Sequence, residues 1–158
     1  MKFVIVTGMS GAGKSTAMKM MEDMGYFCVD NLPIQLLEKF ASLLPEMQSE
    51  NVRNVALGID ARSGSALDEL EVVLDRMKQT GYDYEILFMD AEDSVLVKRY
   101  KESRRSHPLA RTGRVDEGIR LEREKTKFLR KSSVCSGKAG GDQGRFRGRD
   151  HPGDGEER

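Results

Sequence analysis

Four short apolar runs, separated by stretches of helical periodicity, organise the first 130 residues of the chain. Residues 3–7 (Phe-Val-Ile-Val-Thr) form a continuous β-branched run, the pattern of a strand buried on both faces. Residues 26–29, 52–59 and 84–89 read as three further strands, the first of them stopped by Asp30-Asn31-Leu32-Pro33. A helix over about 14–24 carries Met18, Met21 and Met24 at core spacing and ends at Gly25. Leu36, Leu37, Phe40, Leu43 and Leu44 mark a second helix. Ser65-x-x-Asp68 opens a third, which bears Leu67, Leu70, Val73, Leu74 and Met77 and closes at Gly81. Val95, Val97 and Tyr100 belong to a fourth, and a last one spans about 115–130. Alternation of this kind predicts an α/β domain, a mostly parallel sheet with helices on both faces in three α/β/α layers.

Residues 132–158 break the pattern. Seven of the sixteen glycines fall there among charges, and only Val134, Cys135, Ala139 and Phe146 are apolar. Such a stretch does not bury enough surface to offset an ordering cost of about 1–2 kcal/mol per residue. The expected division is one folded α/β domain over 1–130 and a disordered or aberrant tail over 131–158. Arg145, Phe146, Arg147, Gly148 and Arg149 have a faint RNA-binding look, against which stands a tail of zero net charge.

Composition sharpens this picture in two ways. Charged residues make up 33% of the chain and apolar ones 38%, which implies an extensively solvated surface. The formal net charge is zero, yet residues 1–97 hold 8 Lys/Arg against 16 Asp/Glu, and residues 98–131 hold 13 against 5. The basic segment suits an anionic partner or, equally, a solvated helix face with ordinary ion pairs. Cys28 and Cys135 lie far apart, with no metal-ligand spacing, and Cys28 reads as a small core residue. No signal peptide opens the sequence and no apolar run approaches the roughly 20 residues of a membrane span. A cytoplasmic location without membrane association is the expectation.

The chemistry is concentrated after the first strand. Gly8-Met9-Ser10-Gly11-Ala12-Gly13-Lys14-Ser15 fits G-x-x-x-x-G-K-[ST] at every fixed position. Glycines let successive backbone N–H groups converge on phosphate oxygens, and the helix that follows favours an anion at its N-terminus. Lys14 is placed to reach the β- and γ-phosphates and Ser15 to ligate Mg²⁺, with Thr16 as a neighbouring hydroxyl. Asp60, after the third strand, is the candidate acid for Mg²⁺ and catalysis, at the sheet edge where α/β folds bind ligands; a helix-entry aspartate is the alternative. Asp30, after the second strand, either orients a water or accepts a proton, or caps a turn. Asp90 has a stronger turn reading still. Arg99, Arg104 and Arg105 suit a lid over phosphates, with 104–113 mobile around His107-Pro108, or else a basic helix end. His107 reads as structural.

The stretches TGMSGAGKSTA (7–17), GYFCVDNLP (25–33), GIDARSG (58–64), RRSHPL (104–109) and EGIRLERE (117–124) together resemble the YvcJ/RapZ family of bacterial nucleotide-binding proteins. The resemblance covers roughly residues 1–130. It implies a P-loop NTPase-type domain of kinase-like topology that binds ATP through residues 8–15. It also implies GTP binding through Asp60, Ala61, Arg62 and Ser63, and weak ATPase or GTPase activity. Family members continue with another strand and a C-terminal domain associated with RNA and aminosugar-phosphate recognition. Here the match stops near Arg130, so the last strand of the sheet is expected to be missing, as a disrupted reading frame would produce. An RNA or RNase partner is correspondingly doubtful for this chain, and its oligomeric state is open. Two alternatives remain: a small-molecule kinase of adenylate- or shikimate-kinase type, and a non-catalytic RNA-binding adapter. The kinase lacks an evident acceptor pocket beyond Asp30 and Arg62, and the adapter lacks aromatics beyond Tyr100 and Phe128 in the basic segment.

Overall fold

The computed structural model of the chain describes residues 2–49, 52–59, 64–132 and 135–138. Five parallel strands run β1 (Lys2–Gly8), β2 (Phe27–Leu32), β3 (Asn54–Ile59), β4 (Glu85–Asp90) and β5 (Cys135–Lys138) in chain order. Their order across the sheet is β2-β3-β1-β4-β5, so β1 lies between β3 and β4. Val4 pairs with Ala56 on one side and with Glu85 on the other. Both β1 and β3 are apolar on either face, and Ile5, Val6, Val55, Ala56 and Leu57 have no exposure at all. Helices α1 (Lys14–Asp23), α2 (Leu37–Ser49), α3 (Gly64–Gln79), α4 (Asp93–Ser103), α5 (Val115–Lys125) and α6 (Lys127–Ser132) supply the crossovers and the covering layers. This is the three-layer α/β architecture that the alternation of strand and helix predicts.

Three differences from the sequence reading have identifiable causes. The helix expected over 115–130 is two helices: the first ends at Thr126 (φ −95°, ψ 4°), whose Oγ1 donates to the Glu122 carbonyl at 2.8 Å. The second strand extends past Asp30 to Leu32, with a register shift against β3 between Val29 and Leu32 that accommodates Asn31 at φ 59°. The last strand is present. Cys135–Lys138 pairs in parallel with β4, Leu87 opposite Cys135 and Asp90 opposite Lys138. A ladder is made by backbone groups, so an edge strand does not need an apolar sequence. The rest of the expected tail, residues 133–134 and 139–158, lies outside the described residues.

Two close approaches fix where the functional elements sit. A Cβ at Gly8 would come within 2.2 Å of the Met89 carbonyl oxygen, and Met9 N–H donates to that same oxygen at 2.9 Å. The loop after β1 is therefore pinned against the end of β4. On α5, a Cβ at Gly118 would meet the His107 ring at 2.4 Å, so only glycine leaves room for that ring against the helix. Gly8→Ala should lower stability by about 3 kcal/mol or more, since the obstacle is backbone, and Gly118→Ala by about 1–3 kcal/mol. Urea denaturation of the two variants checks both values; a Gly8→Ala protein as stable as wild type would refute the packing of loop on strand.

Candidate phosphate-binding site

The chain leaves β1 at Gly8 and closes a turn in which Ala12 N–H donates to the Met9 carbonyl at 3.0 Å. Gly11 (φ 82°) and Gly13 (φ 97°) take left-handed conformations that a side chain disfavours. Gly13 caps α1 without any side-chain hydrogen bond, and the first turn of the helix holds no acidic residue. Among the described residues, no acceptor bonds the N–H groups of Gly11, Gly13, Ser15 or Thr16. These donors, at the positive end of the helix dipole, form an anion cradle. Lys14 Nζ donates to the Ile59 carbonyl at 2.9 Å, at the carboxyl end of β3.

The opposite wall comes from α4 and from the segment that follows it. Together with the loop they enclose a cavity of about 370 Å³, a volume in the range of small-ligand pockets. Arg99 and Tyr100 of α4 line it, and Arg99 Nη1 donates to the Gly11 carbonyl at 2.6 Å. Arg104 ends α4 in the left-handed conformation (φ 51°), which turns the chain so that Arg105, Ser106 and Pro108 also reach the cavity. Arg105 makes no ion pair or hydrogen bond among the described residues. Among the described residues of the wall, Lys14, Arg99 and Arg105 thus outnumber the carboxylates, of which Glu122 is the one lining the cavity.

Glu122 is buried, 3% exposed, and both its oxygens are engaged. Oε1 accepts from Ser10 N–H and from Ser10 Oγ, each at 2.9 Å, and Oε2 lies 2.9 Å from His107 Nε2. His107 Nδ1 accepts the Leu109 N–H at 3.1 Å, which places the ring proton on Nε2, facing the carboxylate. The ring also packs on Tyr100, centroids 5.1 Å apart. Every member of this buried network is therefore satisfied.

Of the residues singled out by sequence, Gly8, Met9, Ser10, Gly11, Lys14, Ser15 and Arg105 line the cavity together. Ala12 is buried beneath the loop, Gly13 forms the cap, and Thr16 sits exposed in the first turn of α1. Arg104 is exposed at the end of α4 and is not part of the lining. Asp60, Ala61, Arg62 and Ser63 lie outside the described residues. Asp30 stands apart from the cavity: its Oδ1 accepts the Asn31 N–H at 2.8 Å and lies against Gly58 of β3. Asp90 is structural, held by Arg123 Nη1 at 2.9 Å and by Arg130. Burial works against the charge on Arg123, but the hydrogen bonds it donates to Asp93 and Asp90 outweigh it and hold the guanidinium pKa above the usual arginine value. His107 takes the structural place expected of it. Glu122 was not anticipated, although a charge in the stripe Val115, Ile119, Glu122, Thr126, Leu129 is the signal of a buried, partnered acid. Among the described residues, no helix is long and apolar enough to cross a membrane.

Comparison with known proteins adds a lineage to this geometry. A nucleotide-binding protein of Agathobacter rectalis is 64% identical over 130 residues, 82% of this chain and 44% of that protein. A nucleotide-binding protein of Lachnoclostridium phytofermentans is 63% identical over 130 residues, 82% of this chain and 45% of that one. The chain spans less than half the length of these curated relatives. Among solved structures, shikimate kinase from Acinetobacter baumannii in complex with shikimate is 17% identical, over 91% of this chain and 86% of that one, at a TM-score of 0.49. Deoxyadenosine kinase from M. mycoides with bound dATP is 15% identical, over 80% and 83%, at a TM-score of 0.42. The family model of the RapZ-like N-terminal domain matches residues 1–135, and the chain belongs to that family.

Proposed function

We propose that this chain binds the phosphates of ATP or GTP in the cavity between residues 8–15 and the 104–113 segment, as the nucleotide-binding domain of a RapZ-like protein. The observation that carries the reading is the uncapped start of α1, where the N–H groups of Gly11, Gly13, Ser15 and Thr16 have no acceptor among the described residues. Two relatives that share over 60% of the matched residues are named nucleotide-binding proteins, which supports it. Lys14 exchanges the Ile59 carbonyl for phosphate oxygens, and Arg105 supplies a second cation from across the cavity.

Mg²⁺ is proposed to sit at the same wall, held by the Ser15 hydroxyl, exposed in the first turn of α1 beside the loop, and by Asp60, the carboxylate proposed to complete the site. The ion would supply charge neutralisation between the phosphates. Hydrolysis is proposed to be slow. Glu122, the carboxylate of the described cavity wall, has both oxygens hydrogen-bonded, which leaves it a poor acceptor for a water proton.

Lys14→Ala should weaken ATP and GTP binding about tenfold to a hundredfold, the worth of a charge-assisted hydrogen bond of roughly 1.5–3 kcal/mol. Equilibrium titration of wild type and variant with each nucleotide, in the presence and absence of Mg²⁺, checks it. A variant that binds ATP and GTP as wild type does would rule the proposal out.

A further inference from the structure

Glu122 is an unexpected group in a phosphate pocket. Its charge is of the wrong sign for the ligand, and burying a carboxylate is costly unless its partners require it. Its neighbours on the buried face of α5, Ile119 and Gly118, are apolar, so packing alone does not call for an acid. What distinguishes the position is that acceptors are needed on two sides at once. The Ser10 N–H and hydroxyl point at it from the phosphate loop, and His107 Nε2 points at it from the segment that bears Arg105. Because Leu109 N–H occupies His107 Nδ1, the ring presents a donor to Glu122 and cannot present an acceptor without losing that bond. A carboxylate meets both demands. A glutamine would turn its amide N–H₂ toward one donor or the other.

His107 in turn holds its segment in place. It accepts from Leu109 N–H through the ring and from Ala110 N–H through its carbonyl at 3.0 Å, and its side chain is wedged between Gly118 and Tyr100. Arg105 lies two residues earlier, on the rim of the cavity.

Resting on the phosphate-binding reading above, we propose that Glu122 is a positioning residue that joins the phosphate loop to the 104–113 segment through Ser10 and His107, so that a nucleotide held at the loop finds Arg105 fixed above its phosphates. Ordering of Ser10 by the ligand steadies Glu122, Glu122 steadies His107, and His107 steadies the backbone that carries the arginine.

A double-mutant cycle on ATP affinity tests this. In wild type, Arg105→Ala should weaken ATP binding about tenfold, as expected for loss of a charged contact. In a Glu122→Gln background the same change should cost less than about threefold, because the arginine is no longer held in place. An equal factor in both backgrounds would show that Glu122 only supports the fold, and would overturn the proposal. A wild-type protein that fails to bind ATP removes the phosphate-loop reading and this inference with it, an outcome distinct from an additive cycle. If Glu122→Gln does not fold, amide exchange in Arg105→Ala decides. ATP should slow exchange at Leu109 and Ala110 by about threefold or more although the direct contact is gone. Unchanged exchange at those two amides overturns the proposal.

Discussion

A helix that begins without a cap leaves several N–H donors facing outward, and such an end is stable only if water or an anion meets it. In this chain that constraint falls at the start of α1, where Gly13 offers no side chain and the first turn holds no acid. The other elements of the site are arranged around it. The central position of β1 brings the loop to the middle of the sheet, and contact between Gly8 and Met89 keeps the loop from sliding along β4. Residues of opposite charge are kept away from the cradle or are tied down: Asp90 by Arg123 and Arg130, and Glu122 by Ser10 and His107.

The sheet order explains why these groups converge. The chain builds β2 and β3 to one side of β1 and then crosses to β4 on the other, so the carboxyl ends of β3, β1 and β4 open into one crevice. Ile59, Gly8 and Met89 each contribute a backbone group there, and α4 and α5 close the far side. The segment between those helices carries Arg105, a cation with no partner of its own among the described residues, over the same crevice. A site built in this way sets a pinned loop on one side of the cavity and a cation on the other, an arrangement suited to a nucleotide-binding domain.

The fold was legible in the sequence wherever burial dictates residue type. The β-branched run at 3–7 and the apolar residues within 52–59 read as interior strands of a parallel sheet, and the glycine spacing at 8–13 could be read directly as backbone geometry. Legibility failed where backbone bonding or a long-range partner decides. The strand at Cys135–Lys138 pairs through its main chain and has no apolar signature, and the break at Thr126 falls within a continuous helical periodicity. Glu122 escaped notice because its partners, Ser10 and His107, lie 112 and 15 residues away. The resemblance of 117–124 to a family motif marked the stretch, but only the structure gives its glutamate an occupation. Asp30 reads in the linear sequence either as a catalytic carboxylate or as a turn cap; the sheet order sets it two strands from the loop, and its Oδ1 accepts the Asn31 N–H.

The central claim is that the backbone at the start of α1, and not merely a basic surface, holds the phosphates. Amide NMR shifts during titration with ATP and Mg²⁺ report on it directly, because a hydrogen bond to phosphate moves the donor proton strongly downfield. The account predicts that the amides of Gly11, Gly13, Ser15 and Thr16 shift furthest and saturate together. Shifts confined to the Lys/Arg-rich 98–131 stretch, with those four amides unmoved, would contradict it.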